Sequence, residues 1–188
     1  MKIYENDEIY VRPLLESDIE KESYLQWFYD QEVCKYNSHS VFSHGFDPLN
    51  ITELDPKSNI IWAVMAKEKG SWESWNYKNA DLHIGNVVLY IDWINRNAEF
   101  TCIFGEKKYW GKGYCTQVLK WIINHGFNKL GINKVWLGTA VNNEGMNHAA
   151  LNAGMDLEAV LKKDVFLNGE YIDINRLSIT LGVNIAYD

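Results

Sequence analysis

Apolar and polar positions change period several times along the chain, and each change marks an element. Glu8–Leu14 (EIYVRPL) is rich in β-branched and aromatic residues and stops at Pro13, the pattern of a first strand. Ser17-Asp18-Ile19-Glu20 fits the S-x-x-E capping pattern and predicts a helix from there to about Asp30. Residues 31–56 are irregular, with turn residues, His39, His44 and room for one short helix. Ile60–Ala66 is a continuous apolar run that predicts a buried strand. Residues 67–80 are polar and predict a loop, made adhesive by Trp72, Trp75 and Tyr77. Leu82–Trp93 and Ala98–Phe104 flank Asn95-Arg96-Asn97 and predict a hairpin of two long strands.

Further on, Leu119, Ile122, Ile123, Gly126, Phe127 and Leu130 recur at helical spacing, which makes 116–130 a helix with one apolar face. Lys134–Thr139 is a strand, Asn143–Ala153 a helix stopped by Gly154, and Ala159–Phe166 with Tyr171–Thr180 a hairpin turning at Asn168-Gly169. No repeat or linker interrupts the order β-α-(α)-β-β-β-α-β-α-β-β. That order predicts a mixed α/β sheet flanked by helices, in a single domain over 1–188.

Composition narrows the class. Eight Trp, eleven Tyr and seven Phe in 188 residues supply a core without disulfides or a structural metal, and the counts exclude disorder, a collagen-like repeat and a coiled coil. The apolar run at 60–66 is far short of the ~20 residues of a membrane span, and the opening MKIYENDEIY lacks a signal pattern. Three cysteines, Cys34, Cys102 and Cys115, show no paired spacing, which predicts reduced thiols and a cytoplasmic location. The five histidines show no ligand spacing, so no metal is expected.

Charge is unevenly placed. Residues 1–60 carry twelve acids and five bases, and so hold the whole net charge of −7. Residues 107–143 contain six lysines and no acid. An acidic chain with one basic segment is a poor partner for duplex nucleic acid and suits a compact polyanion at that segment, unless the lysines are only a solvated helix face.

The informative unit joins a strand to a helix: AEFTCIFGEKKYWGKGYCTQVLKWI. Gly111 and Gly113 adopt backbone angles closed to other residues. They allow successive N–H groups to turn inward where the helix begins near Tyr114, an arrangement suited to phosphate or pyrophosphate. The spacing is neither a Walker A loop nor a dinucleotide fingerprint, since Thr116 stands where a third glycine would be.

On these residues the chain resembles the GNAT superfamily of acetyl-CoA-dependent N-acetyltransferases. The family signature [Q/R]-x-x-G-x-[G/A] falls on Trp110-Gly111-Lys112-Gly113-Tyr114-Cys115; Gly113 matches, while Trp110 and Cys115 depart from it. Val11-Arg12-Pro13-Leu14 with Asp18, Ile84-Gly85-Asn86, Ala98-Glu99, Asn143, Ala153-Gly154-Met155 and Gly169-Glu170-Tyr171 with Asp173 resemble the branch that includes ribosomal-protein N-terminal acetyltransferases.

The resemblance implies a strand at 98–104 that bulges and splays from the strand at 134–139, opening a V between the fourth and fifth predicted strands. It implies acetyl-CoA as cosubstrate, with pantetheine along the backbone of Cys102, Ile103 and Phe104. The pyrophosphate would lie on Trp110, Gly111, Lys112, Gly113, Tyr114, Cys115 and Thr116, with Trp110 lending its main-chain N–H. Asn143 would contact the pantetheine or order the loop before its helix. No metal is implied.

Direct acetyl transfer needs a neutral amine, and deprotonating an alkylamine of pKa ~10.4 at neutral pH costs roughly 4–5 kcal/mol. Glu99 is the candidate base by resemblance, or else a solvent-facing carboxylate paired with Arg96 or Arg176. His39 is a candidate substrate contact. His148 either faces the notch or lies on a helix surface, and His83 and His125 read as strand and helix surface positions. Some relatives carry a Tyr or Ser acid three residues after the Asn; here that position is Met146. Cys115 has no adjacent base, and packing accounts for it better than nucleophilic catalysis does.

The acidic first third suits a small cationic amine. The segment 27–39 and Gly145-Met146 resemble acetyltransferases of polysaccharide and amino-sugar pathways, which implies a nucleotide-linked amino sugar as acceptor. A protein N-terminus and a non-catalytic CoA- or nucleotide-binding module are the alternatives. No nucleic-acid or membrane partner is expected, and the chain is expected to be a monomer or homodimer.

Overall fold

The computed structural model describes residues 2–37, 51, 54–67 and 81–182. His39, His44 and the aromatic residues of the 68–80 segment lie outside the described residues. The strands are β1 (Tyr4–Glu5), β2 (Ile9–Pro13), β3 (Asn59–Ala66), β4 (Leu82–Asp92), β5 (Asn97–Phe104), β6 (Lys134–Ala140), β7 (Asp156–Leu167) and β8 (Glu170–Thr180). They form one sheet in the order β1-β2-β3-β4-β5-β6-β8-β7. Every neighbouring pair is antiparallel except β5 with β6, which is parallel.

Alternation along β5 separates the two faces of the sheet. Ala98 and Phe100 join the main core under α3 (Tyr114–His125) and α4 (Glu144–Asn152), with Leu119, Ile122, Val135 and Leu137. Ile103 faces the other way, onto a second cluster built by Tyr24, Trp27 and Phe28.

The helix expected from Ser17 to Asp30 is two short helices, α1 (Glu16–Ile19) and α2 (Glu22–Tyr29). Asp18 accounts for the break. Its carboxylate accepts the Leu15 N–H at 3.0 Å and a bidentate pair from Arg12 at 2.6 and 2.8 Å, which places the first turn ahead of Ser17. Lys21 is then extended and starts α2. The expected helix over 116–130 is regular only to His125 and continues as a wider π turn over Gly126–Leu130. Two-residue β1 has too little sequence to show a period.

Candidate active site

β5 and β6 pair only through Asn97↔Lys134, Ala98↔Val135 and Glu99↔Trp136, although both strands continue beyond that rung. A parallel pair that separates part-way leaves a V in the sheet and a free edge on β5. The splay is as expected, but the bulge is not. β5 keeps an unbroken register with β4 from Asn97 to Phe104.

That register decides which groups reach the gap. Gly105 N–H donates to Ile84 O on β4 at 3.0 Å, and a Cβ added to Gly85 would come within 2.5 Å of Ile103 O. Ile103 therefore turns its main chain toward β4, and its side chain packs toward α2, so it leaves the gap to its neighbours. Cys102 and Phe104 present their main-chain groups to the gap. The Phe104 carbonyl is already held by the Trp110 indole N–H at 2.7 Å. Trp110's own main-chain N–H, expected to be available, donates to Lys107 O at 3.0 Å.

The turn itself is open. Gly111 and Gly113 have φ of +73° and +78°, and a Cβ at either would meet nothing within 4 Å. Gln117 is the first residue whose N–H closes onto this turn, donating to Gly113 O at 3.0 Å. From Gly111 to Thr116 the main-chain N–H groups have no acceptor among the described residues, at the positive end of the 12-residue α3. Such a fan fits a diphosphate. The Tyr114 ring is buried beneath it, and Lys112 lies 5.0 Å from the Tyr109 ring centroid. Lys107 instead pairs with Asp30 at 2.7 Å and Glu32 at 3.1 Å.

Asn143 caps α4, accepting the Met146 N–H at 3.3 Å and donating to Thr139 Oγ1 at 3.0 Å, so ordering that loop occupies its side chain. Asn147, which carries no motif signal, donates to Ala140 O and Asn143 O and accepts from Asn175 at 2.8 Å. It ties the end of β6 to α4 and β8.

Glu99 stands at the last rung before the strands part, on the face opposite α3. It helps line an open cleft of about 330 Å³ with Tyr90, Asp92, Asn97 and Trp136, together with Ser58 and Asn59 at the start of β3. Burial raises its carboxyl pKa, and the charge of Arg176 opposes the rise. Arg176 lies 3.8 Å over the Trp136 ring. Tyr90 and Trp136 escaped the sequence reading, although strand alternation puts both on the face of Glu99. Glu99 thus stands beside the last paired rung, while Cys102 and Phe104 turn main-chain groups to the gap beyond it and the 111–116 turn leads into α3 on the other face.

The remaining histidines do not join this site. His83, expected at a strand surface, is buried, stacked on Tyr24 and edge-on to Trp27, with Nε2 2.7 Å from Asn86 Oδ1. The nearby aromatic helix α2 covers that end of β4. His125 is half-buried between Tyr4 and Trp62, and His148 is exposed. Among the described residues no three His, Cys, Asp or Glu side chains gather as a metal site, and no helix is long and apolar enough to cross a membrane.

The acetyltransferase (GNAT) domain model matches residues 8–156. The chain belongs to this family. GNAT enzymes are N-acetyltransferases that use acetyl-CoA. A spermidine N(1)-acetyltransferase of Vibrio cholerae is 33% identical over 97 residues, 51% of this chain and 56% of the relative, so the match spans little more than half of that protein. A ribosomal-protein-serine acetyltransferase of Escherichia coli is 27% identical over 77% of this chain and 81% of its own length. The crystal structure of spermidine N-acetyltransferase from Vibrio cholerae with CoA and spermine superposes with a TM-score of 0.73 at 22% identity, covering 93% of this chain and 96% of that one. At that identity the likeness establishes the GNAT fold.

Proposed function

We propose that this GNAT domain transfers an acetyl group from acetyl-CoA to a primary amine of a small polycation such as a polyamine, by direct attack in the gap between β5 and β6. The observation that carries the reading is the parting of these strands immediately after Glu99↔Trp136, with a fan of unpaired N–H groups on one face and a carboxylate cleft on the other.

Bound acetyl-CoA supplies an acyl carbon activated as a thioester. The N–H groups of 111–116 hold the diphosphate, and the free edge at Cys102 and Phe104 orients the pantetheine. Asp92 and Glu99 supply negative charge in the cleft, and the Tyr90 ring supplies a face on which an alkylammonium rests, the Trp136 ring being already stacked by Arg176. Glu99 accepts the proton that the attacking amine loses, directly or through water, and burial, by raising its pKa, makes it a stronger base than an exposed carboxylate. The helix α4 offers neither Tyr nor Ser, so no general acid is assigned to it.

A nucleotide-linked amino sugar, implied by the 27–39 resemblance, has no counterpart among the named relatives, which act on spermidine or on a ribosomal protein. The polyamine reading takes its place. The test is CoA release from acetyl-CoA with spermidine, spermine, N-terminal peptides and amino-sugar nucleotides offered separately. Spermidine or spermine should exceed the others in kcat/KM by at least ~100-fold. Turnover confined to peptides or sugars would remove this acceptor assignment. Cofactor binding without turnover on any amine would favour a binding module.

A further inference from the structure

Besides Trp110, two positions set the chain apart from its family's motifs, Cys115 at the end of the glycine signature and Met146 after Asn143. Both are sulfur residues, and they meet. Cys115 Sγ lies 3.7 Å from Met146 Sδ, and Cys102 Sγ lies 3.9 Å from each. β5, α3 and α4 each contribute one sulfur to a closed triangle, and all three side chains are half-buried. A point equidistant from three atoms so spaced lies roughly 2.2 Å from each, close to a metal–thiolate bond of ~2.3 Å.

We propose that Cys102, Cys115 and Met146 form a three-sulfur site for a soft monovalent cation of the Cu(I) class, and that its occupation closes the cofactor channel. Thiolate and thioether donors select Cu(I) over hard cations, and a three-coordinate set suits it better than zinc, which takes four ligands. Among the described residues no His, Asp or Glu completes a larger set. Capture exchanges the two thiol protons for one cation, leaving the thioether neutral and the complex with a charge of −1. Cys115 sits in the first turn of α3, where the helix dipole favours that charge.

The blocking half of the proposal rests on the acetyl-CoA reading above. Cys102 belongs to the free edge of β5, and Cys115 belongs to the N–H fan. A bound ion would link both to α4 across the entrance of the pantetheine path.

The test is anaerobic titration of the reduced protein with Cu(I) delivered from its bicinchoninate complex. One Cu(I) per chain should leave the chelator, and X-ray absorption should show three sulfur neighbours at about 2.2–2.3 Å. C102S and C115S should each weaken binding by at least ~100-fold and M146L by about tenfold, since even outer-shell partners of a metal are worth ~10–100-fold. Melting curves check that the variants fold, and M146L preserves the apolar volume. Copper bound equally well by C102S and C115S, oxygen or nitrogen neighbours, or loss of two thiols to a disulfide without bound copper would each overturn the site. Calorimetry with acetyl-CoA tests the blocking separately. Affinity unchanged by bound Cu(I) would overturn the blocking and leave the site standing. Absence of acetyl-CoA binding in copper-free protein would overturn the proposed function instead.

Discussion

Replacing Gly113 by alanine tests the N–H fan directly. Gly113 is the residue before α3, with φ of +78°, and a Cβ there meets nothing within 4 Å. Steric clash therefore contributes nothing, and the whole cost is the left-handed backbone, about 1–2 kcal/mol for an L-residue. For a domain of this size that lowers Tm by roughly 2–8 °C, since each kcal/mol shifts it about 2–4 °C. If the turn instead relaxes to negative φ, stability returns but the N–H groups of 111–116 no longer converge, and acetyl-CoA affinity falls by at least ~10-fold, or 1.4 kcal/mol. Asparagine, which tolerates the left-handed region better, should lose less on both measures. Calorimetric unfolding paired with acetyl-CoA titration separates the two outcomes. Gly113→Ala with unchanged Tm and unchanged affinity would refute the reasoning.

Glu99→Gln should lower kcat by about 10²–10⁴-fold, the usual contribution of a general base, with little change in acetyl-CoA affinity. A base works deprotonated, so wild-type kcat/KM should fall as pH drops through the raised Glu99 pKa. That limb should vanish in Glu99→Gln and move to higher pH in Arg176→Ala, because Arg176 opposes the rise; identical pH profiles would exclude Glu99. For Asp18, burial alone would raise the carboxyl pKa, but Arg12 and the Leu15 N–H outweigh it and hold the value at about 2. Its ionised form therefore stabilises the fold above the unfolded value of ~3.9, and this is lost as pH falls from there toward 2. Asp18→Asn should cost about 2–3 kcal/mol in urea unfolding at pH 7, converging with wild type at the acid end of that window. Gly105→Ala would place a Cβ 1.9–2.3 Å from three Trp27 ring carbons, so it should cost about 3 kcal/mol by overpacking; an unmoved denaturation midpoint would show that Trp27 yields.

The order of strands and helices along the chain and the glycine turn before α3 were legible because their signals are local. Alternation marks β4 and β5, helical spacing marks α3, and two glycines at a strand-to-helix joint mark the turn. The reading failed where a distant partner decides. Ser17-x-x-Glu20 is a sound capping pattern, yet Arg12 reaches Asp18 and moves the helix start. His83 occupies an outward position in a strand pattern, but α2 lays Tyr24 and Trp27 over it. Ile103 sits among the gap-lining residues by number, but the hydrogen-bond phase of β5 against β4 turns it away. The cleft proposed for the acceptor is not encoded locally at all, because Tyr90, Glu99 and Trp136 meet only through strand pairing.

The charge pattern shows the same limit in another form. Six lysines and no acid over 107–143 suggest that cationic side chains draw in a polyanion. In the fold Lys107 is paired with Asp30 and Glu32, Lys134 with Glu158, and Lys108 and Lys112 lie over the Tyr109 ring. Exposed pairs of this kind contribute only about 0–1 kcal/mol and are screened by salt. What distinguishes the turn is the direction of its main-chain N–H groups, which two left-handed glycines set and which salt does not neutralise. Charge composition thus points to the region proposed to take an anion, while backbone geometry supplies the donors.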